Sequence, residues 1–153
     1  MAFNIVLIEP EIPNNTGNIG RLSLATGSTL HLVKPFGFEL DDKRVKRAGL
    51  DYWQYLELKI YNSAEEFFSI HKDKTMAFLS SHGTKNYCDI NFVDDLFLIF
   101  GKESVGLSNS ITAAYSEAQY KIPLFSTHIR SLNLANAVSV VIYEGLRQVS
   151  IGT

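Results

Sequence analysis

Lys121-Ile122-Pro123-Leu124-Phe125-Ser126-Thr127-His128-Ile129-Arg130-Ser131-Leu132-Asn133-Leu134-Ala135-Asn136-Ala137-Val138 is the stretch on which the fold turns. It opens as a short apolar run closed by a proline, the pattern of a buried strand covering residues 120–124. A polar loop follows. Asn133 then stands where an N-cap belongs, its amide able to satisfy an orphan N–H of a first helical turn. Leu134, Val138, Val141, Ile142 and Leu146 recur at helical spacing, so one face of a helix over 134–148 is core or interface. Strand end, polar loop and helix start form either an ordinary βα connection with a good cap or the place where α/β proteins put small-molecule sites.

Outward from there, strands and helices alternate. Residues 3–9 (FNIVLIE) make a continuous apolar run typical of a parallel strand buried on both faces. Pro10 and Pro13 interrupt regular structure, and a helix with two glycines and Arg21 then runs until about Gly27. Further strands are expected at 29–33, 58–61, 75–80 and 95–100. Ser63 followed by Glu66 is a capping box that opens a helix over 65–71, and a short helix is expected at 110–115. Lys43, Arg44, Lys46 and Arg47 form a basic helix preceded by Asp41 and Asp42, either a solvated face or an RNA-facing patch. The expectation is one α/β domain over 1–153, a mostly parallel sheet flanked by helices.

Composition narrows the class without naming a function. A hydrophobic share of 46% and a charged share of 20% are those of a globular protein, and no apolar run approaches the ~20 residues of a membrane span. The formal net charge of -2 argues against a protein that coats nucleic acid non-specifically. Met1-Ala2-Phe3-Asn4 has neither the basic nor the apolar part of a signal peptide, so a cytoplasmic protein without membrane attachment is expected. The single Cys88 excludes an internal disulfide and a Cys-x-x-Cys metal site. His31, His71, His82 and His128 are scattered without acidic partners, so no metal is expected, and nothing suggests a Ser/His/Asp triad.

Buried parallel strands end on one side of a sheet, so three unusual loops should converge: residues 14–21, residues 100–107 and the opening stretch. Known nucleotide motifs fail there. Gly101-Lys102-Glu103-Ser104 lacks the first glycine of a Walker A loop, and no Gly-x-Gly-x-x-Gly occurs. Gly17-Asn18-Ile19-Gly20 fits the short pattern of a KH domain, but the order of helices does not. From residues alone the result is a loop-built ligand pocket beside a basic helix.

Taken together, Asn14-Asn15-Thr16-Gly17-Asn18-Ile19-Gly20-Arg21, Phe100-Gly101-Lys102-Glu103-Ser104-Val105-Gly106-Leu107, and Ile122-Pro123 with Arg130-Ser131-Leu132-Asn133-Leu134-Ala135-Asn136-Ala137-Val138 resemble the three motifs of the SPOUT, or α/β-knot, RNA methyltransferases. The resemblance covers nearly the whole chain. Glu9-Pro10-Glu11-Ile12-Pro13 and Asp41-Asp42-Lys43-Arg44-Val45-Lys46-Arg47-Ala48-Gly49-Leu50-Asp51-Tyr52 resemble the minimal bacterial branch that 2′-O-methylates cytidine or uridine at tRNA position 34. Val105, where relatives commonly carry arginine, and a 126–129 loop one residue longer than usual are departures. The resemblance implies a C-terminal deep trefoil knot holding S-adenosylmethionine against Leu79, Gly101, Ile122, Leu124, Ser131 and Asn133. It also implies a homodimer through the first and last helices, and a tRNA anticodon loop as substrate. Arg21 becomes the catalytic residue, with Asn15 and Glu103 behind it and Lys43, Arg44, Lys46 and Arg47 on the RNA. A guanidinium keeps its proton far above neutral pH, so using one as the base at pH 7 would be costly. Arg21 is therefore expected to orient an RNA phosphate that assists proton removal, and to stabilise the developing alkoxide.

Overall fold

The computed structural model describes residues 3–48 and 52–151, and leaves aside the side chains of Lys46, Ala48 and Ile151. Residues 49–51, part of the stretch that resembles the tRNA-methylating branch, lie outside the described residues. Seven strands form one sheet in the order β3-β2-β1-β6-β4-β7-β5, and every pairing is parallel. They are β1 (Asn4–Ile8), β2 (Thr29–Val33), β3 (Leu58–Tyr61), β4 (Met76–Leu79), β5 (Lys85–Asn86), β6 (Phe97–Phe100) and β7 (Gln119–Lys121). The chain runs outward from β1 through β2 to β3, crosses to β4 and edge strand β5, then returns to insert β6 between β1 and β4 and β7 between β4 and β5. Strands thus leave β1 in both directions, which opens a crevice at the carboxyl edge.

The central strands are buried along their whole length, as uninterrupted apolar sequences require when both faces are covered. On one face Ile5, Leu7, Leu30, Leu32, Leu98 and Phe100 meet α1 (Pro13–Ala25) and α5 (Leu134–Ile151) through Ile19, Val138, Val141 and Ile142. On the other face Val6, Ile8, Val33, Phe78, Phe97 and Ile99 meet α3 (Ala64–Ile70) and α4 (Asn109–Ala114) through Phe67 and Ile111. The short basic helix α2 (Lys43–Ala48) packs on α1 and buries Val45 completely.

Several boundaries differ from the sequence reading for identifiable reasons. Pro13 does not interrupt structure; it is the first residue of α1, where its missing N–H costs no helical bond. That helix ends in a Schellman arrangement, with Ser28 N–H donating to the Ser23 carbonyl at 2.8 Å and Gly27 at φ +66°. β7 stops at Lys121 rather than 124, because Pro123 cannot donate to the ladder and two-residue β5 offers no further partner. β6 begins at Phe97 rather than 95, since Asp95 turns at φ +66° and receives the Asn4 amide at 2.8 Å. β5 itself lies in what reads as a polar loop, and α5 runs three residues past 148. The capping box forms at Ser63, whose hydroxyl accepts from Glu66 N–H at 3.1 Å, but Glu66 reaches back one residue further, to Asn62 N–H at 2.6 Å. No helix among the described residues is long and apolar enough to cross a membrane.

Candidate active site at the carboxyl edge

Three neighbouring strands end together on the α1/α5 side. Leu79, the last residue of β4, stands opposite Phe100 of β6 and Tyr120 of β7. Gly101 follows directly on Phe100, and Ile122 lies two residues past Tyr120. Strands spaced ~4.8 Å apart therefore bring Leu79, Gly101 and Ile122 into one short row. Leu79 and Ile122 pack their inner sides on the core but remain half-buried, as does Leu124. Past Lys121 the backbone leaves the ladder until α5 begins, so the carbonyls and amides of 122–133 are not committed to strands.

The loop after β6 is folded tightly on itself. Gly106 N–H donates to the Lys102 carbonyl at 2.9 Å, and Gly106 adopts φ +72°. A Cβ on Gly101 would fall 2.2 Å from the Gly106 carbonyl carbon, so only glycine lets the loop close. This fold carries Glu103 across to the start of α1. The backbone N–H groups of Glu11 and Ile12 each donate to its carboxylate at 2.8 Å, supplying the cap that Ile12 has no side-chain group to provide. In return Ser104 N–H donates to the Glu11 carboxylate at 2.8 Å, and hydrogen bonds from Ser104 hold that carboxyl below its usual range.

Asn15 completes the junction. Its amide donates to Glu103 at 3.2 Å, and its carbonyl oxygen accepts from the Asn133 amide at 3.1 Å. The Asn133 carbonyl oxygen in turn caps α5 by accepting from Asn136 N–H at 3.2 Å. One chain of hydrogen bonds thus ties the loops after β1, β6 and β7. Asn15 and Glu103, each expected behind Arg21, are in direct contact with one another, and Asn133 is in the same chain. Ser131 is exposed on the final loop.

Arg21 stands apart from this row. It lies six residues beyond Asn15, about 9 Å further along α1. It is exposed, with its guanidinium 5.1 Å from the Tyr52 ring centroid. On α2, Lys43 and Arg47 are exposed, whereas Arg44 is held in a fork by Asp42, with a 3.0 Å ion pair. Asp42 also accepts from Arg44 N–H at 2.8 Å, so the acid expected to complement the helix start also occupies one of its cations. Sequence reading missed Glu11 and Tyr52 as partners, although both fall within the two stretches quoted for the branch.

The donor set suits an adenosyl group. Half-exposed aliphatic side chains flank a row of strand ends, beside backbone able to recognise a flat purine edge. Among the described residues no three His, Cys, Asp or Glu side chains are grouped to hold a metal.

Comparison with known proteins follows the same outline. Residues 2–143 match the SpoU rRNA Methylase family. The tRNA (cytidine(34)-2'-O)-methyltransferase of Escherichia coli K12 is 44% identical over 147 residues, covering 95% of this chain and 93% of that protein. A structure described as giving insight into the 2-OH methylation of C/U34 on tRNA superposes with a TM-score of 0.91 at 39% identity, with 97% of each chain covered. The SpoU methyltransferase AviRb of Streptomyces viridochromogenes, solved with AdoMet, has a TM-score of 0.85 over 95% of this chain and 57% of its own; at 24% identity it speaks to the fold alone.

Proposed function

The chain belongs to the SpoU rRNA Methylase family, and from that we propose that it 2′-O-methylates the ribose of the tRNA wobble nucleotide, position 34, cytidine or modified uridine. It is an enzyme of tRNA modification. The observation that carries this reading is the hydrogen-bonded junction of three loops at the carboxyl edge, in a chain similar over its whole length to proteins of that activity.

S-adenosylmethionine, the methyl donor, supplies a methyl group already activated on sulfonium, so most of the catalysis is positioning. Leu79, Ile122 and Leu124 would hold its adenosyl moiety, with backbone groups at Gly101, Ser131 and Asn133 placed to recognise its polar edges. The Glu103–Asn15–Asn133 chain keeps those loops in register. Arg21 binds the RNA phosphate next to the target ribose and stabilises the alkoxide that forms there. Its cation–π contact with Tyr52 restrains the guanidinium. Lys43, Arg44, Lys46 and Arg47 attract the anticodon loop, with Arg44 exchanging Asp42 for phosphate.

A single domain performs this, as a homodimer in the cytoplasm. The outer face of α5 supports pairing: Val140 is 37% and Tyr143 54% exposed. Ala135, Ala137 and Ser139 on the same helix are small enough for close approach. The final segment forms a deep trefoil knot, a reading supported by the path of the chain, which pairs β7 with β4 and then crosses back to pack α5 on α1.

Methyl transfer from labelled S-adenosylmethionine to unmodified bulk tRNA, followed by nucleoside analysis, tests the proposal. A 2′-O-methylated nucleotide at position 34 is expected, with the rate falling about 100-fold or more in Arg21→Ala while cofactor binding persists. Label on a base, or at another position, would overturn the assignment.

A further inference from the structure

The opposite face of the carboxyl edge holds an open pocket of about 450 Å³ that the methyl-transfer reading does not use. It lies past the ends of β1, β2 and β3, between α3 and α4, and is lined by Glu9, Lys34, Phe68, Ser110 and Tyr115 among others. Its wall is a stack of rings. Tyr115 packs against buried Phe78 with centroids 4.5 Å apart and planes at 23°, and Phe68 lies 5.2 Å from Tyr115 at 31°. Glu9, on the rim, is held at φ +54°, a left-handed conformation costly for a residue with a side chain. Two contacts fix it there: its N–H donates to the Val33 carbonyl at 2.8 Å, and its carboxylate pairs with Lys102 at 3.5 Å.

Chemistry selects the occupant. A pocket for a free phosphate or another small anion would not carry the carboxylates of Glu9 and Glu65 beside its lysine. Half-buried ring faces with hydroxyl, carboxylate and ammonium groups at the edge suit a flat, uncharged heteroaromatic ring with donors and acceptors on its rim. The source follows from position. Lys102, which holds Glu9, is the neighbour of Gly101, and three strand spacings separate the ends of β2 and β4, roughly 14 Å. A strand of RNA whose ribose sits at Gly101 can reach that far with its next few nucleotides.

We propose that this pocket receives an unstacked nucleobase of the same RNA, one that flanks the methylated nucleotide, and thereby sets the sequence context of the reaction. The proposal rests on the ribose-methylation reading and adds to it a second contact with the substrate. Enzymes acting on one nucleotide read its neighbours in this manner.

The test uses the whole protein and tRNAs assembled with a single abasic nucleotide at each position flanking the target in turn. Ala114, exposed on α4 and lining the pocket, is changed to Trp to fill it, with Ser110→Leu as a second occluding variant should the first fail to fold. For the wild type, one abasic position is expected to lower kcat/KM about 10-fold, the size of one base–aromatic stack. The occluding variant should lose a similar factor on intact tRNA through KM and little more on that abasic tRNA, with cofactor affinity unchanged. Equal kcat/KM for all the tRNAs, or losses that multiply fully, would overturn the proposal. Should the wild type transfer no methyl group to intact tRNA, the ribose reading fails separately. Anisotropy titrations of the same RNAs would then still report whether occlusion and base removal share one contact.

Discussion

Two chains of hydrogen-bonded side chains lie on opposite faces of the sheet. At the carboxyl edge, half-buried Glu103, buried Asn15 and exposed Asn133 link three loops, so this chain runs from the interior out to solvent. Beneath α3, Asn4, His31, Tyr61 and His71 form a second chain, in which His31 is 1% exposed. The Asn4 amide donates to Asp95, so its oxygen faces His31 and must accept from Nε2–H at 2.8 Å. Nδ1 of a neutral ring then accepts from the Tyr61 hydroxyl at 2.9 Å, and Tyr61 accepts from His71 Nε2–H at 2.9 Å. Every proton there has one place. The edge chain is built from amides and a carboxylate and reaches solvent at Asn133; the buried chain is closed off from it. One links loops at the candidate site and the other lies within the core.

The largest effect should come from breaking the buried chain. His31→Leu keeps the volume but strands Asn4 and Tyr61, and is expected to cost about 3 kcal/mol, roughly 6–12 °C in Tm by thermal denaturation. Methyl transfer per folded molecule should be unchanged, and a fall there would erase the division between the two chains. Acid should act at the same place. Burial, reinforced by His71 and Lys59 and opposed by Asp95, pushes the His31 pKa from 6.5 down to about 3. Below pH 6.5 the unfolded chain therefore binds a proton that the folded one refuses, and stability falls as pH drops toward 3. Denaturant titrations should show a slope of about 1.4 kcal/mol per pH unit near pH 5 from this group, removed in His31→Gln. His71, also lowered by burial, and Asp95, lowered by the Asn4 hydrogen bond, add slopes of the same sign. The smallest change in stability should follow Glu103→Gln, which leaves one of two backbone donors unpaired, at about 1 kcal/mol. Here the order reverses, because kcat should fall by far more than that stability loss explains. Equal losses in stability and activity would make Glu103 a cap and nothing further.

How much of this was legible depended on whether a feature was local. Asn133 as a cap, Ser63 in its capping box and the long apolar runs of β1 and β6 are read directly, since each depends on neighbours within a few residues. The resemblance placed Asn15 and Glu103 behind Arg21, but their pairing with each other was not legible. Residues 88 positions apart give no periodic signal. His31 reads from sequence as a structural histidine, but its partners were invisible. A histidine inside TLHLV interrupts an apolar strand, and its partners come from β1, β3 and the end of α3.

The sequence by itself determined the class, a parallel α/β domain, the placing of most elements, and through its three motifs the family. Burial periodicity and capping are short-range, so they are written in contiguous residues. Tertiary structure alone decided which of the similar polar residues work together. It put Arg44 on Asp42 and Arg21 on Tyr52, shortened β7 at Pro123, and opened a ring-walled pocket from α3, α4 and three strand ends. Those outcomes depend on strand order, and the order is set by packing both faces of one sheet at once.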